Sequence, residues 1–109
     1  MGDSEYVLAL ASADRLLQAW HTQDSETGIA LLTERAKKKA SANGVEAFFG
    51  APGALGYEIV HGRRLRSGVY EFPVVLLSAR AGSGEIHRRF SSIVVARTSN
   101  NDWAVDKLP

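Results

Sequence analysis

The sequence predicts an α+β domain, with helices first and an antiparallel sheet after them. Three observations carry that prediction. Apolar patterns with helical spacing all lie before the cluster Gly50-Ala51-Pro52-Gly53, and strand-like runs all lie after Ala54. A helical half followed by a strand half leaves few ways to enclose one core. Two strand centres, Val74-Val75-Leu76-Leu77 and Ile93-Val94-Val95-Ala96, are apolar on both phases. A sheet with one wet face alternates instead, so both faces of this one are expected to be covered.

The helical half opens with Leu10, Ala13, Leu16, Leu17 and Trp20 at spacings of three and four, while Asp14, Arg15 and Gln18 fall on the other side. This pattern predicts one amphipathic helix, with Ser4 as its N-cap and Glu5 in its first turn. Gln23-Asp24-Ser25 interrupts it, and Asp24 or Ser25 can cap a short second helix carrying Ile29, Leu31 and Leu32. Thr33 restarts the chain into Glu34-Arg35-Ala36-Lys37-Lys38-Lys39-Ala40, and Asn43-Gly44 is the expected helix stop. Val45-Glu46-Ala47-Phe48-Phe49 then forms a last apolar turn before the Gly/Pro breaker.

In the strand half, Tyr57 to His61 reads as a strand and Gly62 as a bulge or bend. Arg63-Arg64-Leu65-Arg66-Ser67-Gly68 either continues that strand or forms its turn. Val69 to Arg80 is the longest β-type run. Ala81-Gly82-Ser83-Gly84 has the composition of a hairpin loop, and Glu85 to Thr98 returns from it. Ser99-Asn100-Asn101-Asp102 turns into a closing Trp103-Ala104-Val105 strand. The helices can cover one sheet face, and no helix remains for the other. A second copy of the chain, packed sheet to sheet as a homodimer, is the expected cover. A strongly bent sheet with a partly apolar convex face is the alternative.

Bulk properties set the limits. At 109 residues, positions 1–109 form a single domain, and a net charge of +1 gives no overall field to recruit nucleic acid or an anionic membrane. The absence of cysteine excludes a disulfide framework and thiolate chemistry. No apolar run approaches the roughly 20 residues of a membrane helix. Met1-Gly2-Asp3-Ser4-Glu5-Tyr6 lacks the basic and apolar regions of a signal peptide. Gly2 suggests myristoylation, but Tyr6 stands where that motif needs Ser or Thr. A soluble domain is expected, either cytoplasmic or exported with its targeting segment removed.

No catalytic motif stands out. His21, His61 and His87 occupy different elements without ligand spacing, so no metal is expected, and no cofactor motif is present. His21 suits the last turn of the first helix, where a cation favours the helix dipole. No serine sits in a Gly-x-Ser-x-Gly elbow. Gly82-Ser83-Gly84 lacks the lysine and helix of a phosphate loop. His87-Arg88-Arg89 reads as a strand displaying charge outward, and Asp106 as an end-of-strand carboxylate in a salt bridge. Two basic clusters, Arg35-Ala36-Lys37-Lys38-Lys39 and Arg63-Arg64-Leu65-Arg66, carry no interleaved aromatics for base stacking. They read as a solvated face or a docking patch for an acidic protein, and nucleic acid is not expected.

Three segments together resemble the NTF2-like superfamily, the cystatin-like α+β cone of the ketosteroid-isomerase type. They are Leu16-Leu17-Gln18-Ala19-Trp20 with Asp24 and Ile29-Ala30-Leu31-Leu32; Tyr57-Glu58-Ile59 with Tyr70-Glu71-Phe72-Pro73-Val74; and Phe90-Ser91-Ser92-Ile93-Val94-Val95 closing through Asp102-Trp103-Ala104-Val105-Asp106. The resemblance spans nearly the whole chain. It implies N-terminal helices in the concave face of a strongly curved antiparallel sheet, an apolar pocket inside the cone, and frequent dimers. It implies no single reaction, since members include isomerases, dehydratases, epoxide hydrolases, polyketide cyclases, secretion-system components and binding domains. Enzymes of the family place a carboxylate, or an Asp/Arg/Tyr set, inside the cone. Asp14 reads instead as a helix-face acid, and Glu71 as a strand residue facing a pocket, a dimer or a neighbouring arginine. The Tyr and two Asp of an isomerase do not map onto this sequence, and no catalytic residue is assigned. Trp20, Phe48, Tyr57, Tyr70, Phe72 and Glu71 are the pocket candidates. The expected function is a non-catalytic small-ligand-binding or assembly module acting as a homodimer through the sheet face, with an apolar ligand. The alternative is a small isomerase, dehydratase or cyclase with an acid and tyrosines in the cone.

Overall fold

The computed structural model describes residues 4–109. Three helices, α1 (Ser4–Thr22), α2 (Ser25–Ala30) and α3 (Glu34–Gly50), precede five strands. The strands are β1 (Ala54–Ile59), β2 (Arg63–Arg66), β3 (Val69–Ala79), β4 (Ile86–Arg97) and β5 (Trp103–Lys107). Ser4 is already helical rather than a cap, and the targeting readings of Met1 and Gly2 lie outside the described residues.

Buried Ala9, Ala13, Leu16, Leu17 and Trp20 form the inward stripe of α1. Three small residues in that stripe, Ala9, Ser12 and Ala13, let the helix approach the sheet closely. The Ser12 hydroxyl donates to the Trp103 carbonyl at 3.1 Å, pinning α1 to β5. Gln23, at φ 57°, ends the helix in the left-handed region. Its amide donates to the Ala51 carbonyl at 3.1 Å, satisfying a group at the end of α3. Asp24 caps α2 through the Thr27 N–H at 3.2 Å, and Thr33 caps α3 through the Ala36 N–H at 3.0 Å.

The expected stop at Asn43-Gly44 is corrected: α3 breaks at Ser41, which sits at φ 62° and ψ 164°. The Ser41 hydroxyl then accepts from the Gly44 N–H at 3.3 Å. Serine can supply an N-cap oxygen to a new helical segment, which places Asn43 and Gly44 inside that segment's first turn.

The strands form an antiparallel sheet in the order β1-β3-β4-β5, with β2 also pairing with β3. β1 and β2 lie along the same edge of β3, one beside Val74–Ser78 and the other beside Val69–Glu71. The bend between them depends on Gly62. A Cβ there would land on the Phe72 ring and 2.7 Å from the Glu71 carbonyl oxygen. The Gly62 N–H instead donates to the Tyr6 hydroxyl at 2.9 Å. Register shifts interrupt the β1–β3, β2–β3 and β4–β5 ladders, and such irregularities bend strands and increase their twist. At the far edge Leu32 bridges Val105 in parallel, so the α2–α3 connection extends the sheet beyond β5.

One face of the sheet carries the core. Tyr70, Phe72, Val74 and Leu76 of β3 pack with Ile93, Val95 and Val105 under α1. The opposite phase leaves Val75, Leu77, Val94 and Ala96 half-buried. Residues 86–90 of β4 are exposed on both phases, because the β3–β4 hairpin runs past the helices and β5 pairs only from Val94 onward.

Candidate functional site

Val7, Leu10, Ala11 and Asp14 fall at spacings of three and four, forming a second stripe on α1 beside its core stripe. They face the sheet edge at β1 and, with Tyr57 and Ile59, enclose a groove of about 460 Å³. The lining is apolar except at one end. There the Tyr57 hydroxyl donates to Asp14 Oδ1 at 2.7 Å. The groove stays open to solvent along Val7, which is 61% exposed.

The Tyr57 phenol is pushed up to about 12, first by desolvation and then by the hydrogen bond and charge of Asp14; Gln18 pulls slightly the other way. Each of the main effects penalises a phenolate, so Tyr57 holds its proton and donates it to Asp14. Among the described residues Asp14 Oδ2 receives no hydrogen bond, which leaves a carboxylate acceptor at the end of an apolar trough. Such an arrangement can hold an apolar body and fix the direction of one donor group on it.

A ketosteroid isomerase-like protein from Erwinia carotovora atroseptica superposes with a TM-score of 0.71 at 14% identity, over 97% of this chain and 94% of its own. A domain of unknown function with a cystatin-like fold from Nostoc punctiforme gives 0.71 at 18% identity, over 97% and 76%. An NTF2-like superfamily protein from Salmonella enterica gives 0.61 at 14%, over 89% and 82%. The chain has the NTF2-like fold. At such identities the likeness carries the fold and no activity. No family model matches the sequence, and no curated protein does so either.

Within the NTF2-like cone the pocket candidates separate. Tyr57 alone lines the α1–β1 groove. Tyr70 and Phe72 are fully buried in the core, and Trp20 is buried with its ring stacked on the half-buried Phe48. Glu71 lies on the outer phase of β3 and pairs with Arg63 of β2 at 3.1 Å. The inner face of the cone is therefore packed with side chains, and the groove lies at its margin. Asp106 is buried and engaged by Arg35 and by the Thr33 hydroxyl, the latter at 2.8 Å.

Asp14 is the residue that sequence reasoning set aside, because acids on helix faces are usually solvated. The available signal was the run Val7, Leu10, Ala11, Asp14 at helical spacing, adjacent to the stronger core stripe. Among the described residues no three His, Asp or Glu side chains cluster as a metal site. No helix among them is long and apolar enough to cross a membrane.

Proposed function

We propose that this domain is a non-catalytic binding module that takes a small, largely apolar molecule in the α1–β1 groove and works as a homodimer. The single observation carrying the ligand reading is the groove itself, about 460 Å³ of mostly apolar wall ending in the Asp14–Tyr57 pair. A ligand matching it has a hydrocarbon body and one hydrogen-bond donor, an alcohol or an amine. Dimerisation draws support from the outer sheet face, where Ile86 and Phe90 stand exposed beside half-buried Val75, Leu77 and Ala79. Apolar patches of this kind mark association surfaces.

A second reading, an isomerase, dehydratase or cyclase, draws on the same carboxylate–phenol pair. Acid–base chemistry of that type works best in a water-excluded site, whereas Asp14 is only half-buried and Val7 leaves the groove open. The binding reading is preferred for that reason.

Amide chemical shifts recorded against a panel of apolar alcohols, amines and carboxylic acids test it. Saturable shifts are expected at Leu10, Ala11, Asp14, Tyr57 and Ile59, with alcohols and amines preferred over acids. The Ala11→Trp variant fills the trough from an exposed helix position and should abolish those shifts while leaving the unfolding midpoint unchanged. Shifts that survive Ala11→Trp, or a panel that yields no saturable response in the groove, reject the proposal.

A further inference from the structure

The two basic clusters, separate in sequence, meet in space. Arg35 and Lys39 of α3, Arg66 of β2 and Lys107 of β5 surround one concavity of about 330 Å³. Its apolar lining is Leu65, Val69 and Val94. Asp106 is the single carboxylate in the wall, and it is already held by Arg35 and Thr33. Neighbouring acids are likewise engaged: Glu34 pairs with Lys37 at 3.2 Å, and Glu71 with Arg63 at 3.1 Å. Among the described residues Lys39, Arg66 and Lys107 have no carboxylate partner; Lys107 donates only to the Ser92 hydroxyl at 3.2 Å.

We propose that this concavity is an anion site for a small molecule bearing a phosphate group, with its carbon skeleton resting on Val69 and Val94. Three cations without carboxylate partners around one pocket repel each other, and an anion placed among them removes that repulsion while accepting charge-assisted hydrogen bonds. A phosphate monoester supplies two charges and three acceptor oxygens in a compact group, which answers several donors better than a single carboxylate does. Nucleic acid fits less well, because the wall contains no aromatic side chain on which a base could stack. The site is distinct from the α1–β1 groove and stands or falls independently of the ligand reading proposed there.

The test is a titration of the intact domain with inorganic phosphate, phenyl phosphate and benzoate at matched ionic strength, followed by amide shifts. Saturable shifts are expected near Arg66, Val69, Val94 and Lys107, with phenyl phosphate binding about tenfold more tightly than benzoate. Arg66→Ala and Lys107→Ala, both at exposed positions, should each weaken phenyl phosphate about tenfold without changing the unfolding midpoint. Lys38→Ala, on another side of α3, should leave binding unchanged. Sedimentation with phosphatidylcholine vesicles containing phosphatidic acid identifies the source: co-sedimentation that Arg66→Ala abolishes marks a lipid headgroup, and its absence with phenyl phosphate still bound marks a soluble phosphate ester. A non-saturable response overturns the proposal, as does equal binding of benzoate or equal loss in Lys38→Ala.

Discussion

Tyr57 keeps its proton to high pH because its hydroxyl is desolvated against α1 and donates to an anionic neighbour, raising it to about 12. The Tyr57 ring resonance followed by NMR against pH should therefore show this phenol ionising well above the ordinary value of about 10. Asp14→Asn removes the charge but not the desolvation, so the midpoint should fall part of the way. Linkage fixes the sign for stability. The folded-state value lies above the unfolded one, so this contribution is complete below about pH 10 and is lost as pH rises toward 12. Unfolding measured across that window should show stability falling with pH, and Tyr57→Phe should flatten the slope. A Tyr57 that titrates near the ordinary value of about 10 is in water, and the groove then has no polar end. Trp103 is a second residue-scale case. Its ring meets Tyr70 edge-on at 5.7 Å, and its carbonyl accepts from Ser12. Trp103→Ala should cost about 3–5 kcal/mol by denaturant unfolding, and a near-neutral result contradicts its place in the core. The core role of Trp103 was legible from its position in the closing strand. Asp14 was not, since its partner comes from a strand 43 residues away, and helix periodicity alone cannot show that meeting.

At the scale of the element, α3 holds the clearest local conflict. Ser41 occupies a positive-φ, extended-ψ conformation natural only to glycine, at a cost of about 1–3 kcal/mol. Its hydroxyl caps the Gly44 N–H in partial return. The two effects can be separated because glycine is itself an acceptable N-cap, losing only a few tenths of a kcal/mol relative to serine. Relief of strain should win, so Ser41→Gly should stabilise the domain by about 1 kcal/mol. Ser41→Ala keeps the strain and loses the cap, and should destabilise by about 1 kcal/mol. Thermal unfolding of the two variants checks the pair, and shifts of the same sign would exclude this account of the kink. The sequence displayed Asn43-Gly44 as the louder stop signal. Serine at the break was hidden because capping and turning use the same residue types, and the choice among them rests on packing. The β1–β2 bend was more legible. Gly62 stood out as a break in a strand run, although only the fold shows Phe72 occupying the space where a side chain would go.

The whole molecule has an imbalance of cover that its sequence already carried in Val74-Val75-Leu76-Leu77 and Ile93-Val94-Val95-Ala96. One phase of those strands is buried under α1, and the other is only half-buried. Helix-before-strand order made the fold readable, because burial of a continuous core follows patterns local to each element. The α1–β1 groove was not readable, since it arises where α1 stops short of covering the sheet margin. Among the large apolar residues described, exposure is greatest along the β3–β4 hairpin, with Phe90 at 77% and Ile86 at 64%. On this outer face Phe90 lies across from Val75, Ile86 across from Ala79, and Leu77 across from Arg88. Glu58 flanks the patch on β1, opposite Val75. Two-fold packing of the strip on itself brings like residues together at the axis and can set Glu58 of one copy against Arg88 of the other. Light scattering on the eluting domain should accordingly give twice the chain mass of 11.8 kDa. Phe90→Asp should shift it to the single mass and weaken association by at least about 30-fold, the loss of one central aromatic anchor worth about 2 kcal/mol or more. Because Phe90 is exposed in the isolated chain, that variant should still fold, with a cooperative transition and unchanged core chemical shifts. Arg88→Glu should weaken the dimer as well, and Glu58→Arg in the same chain should restore part of the loss. A wild-type chain that elutes as a monomer at about 100 µM, well above the Kd of a standard-sized interface, means that the hairpin strip is not a surface for self-association.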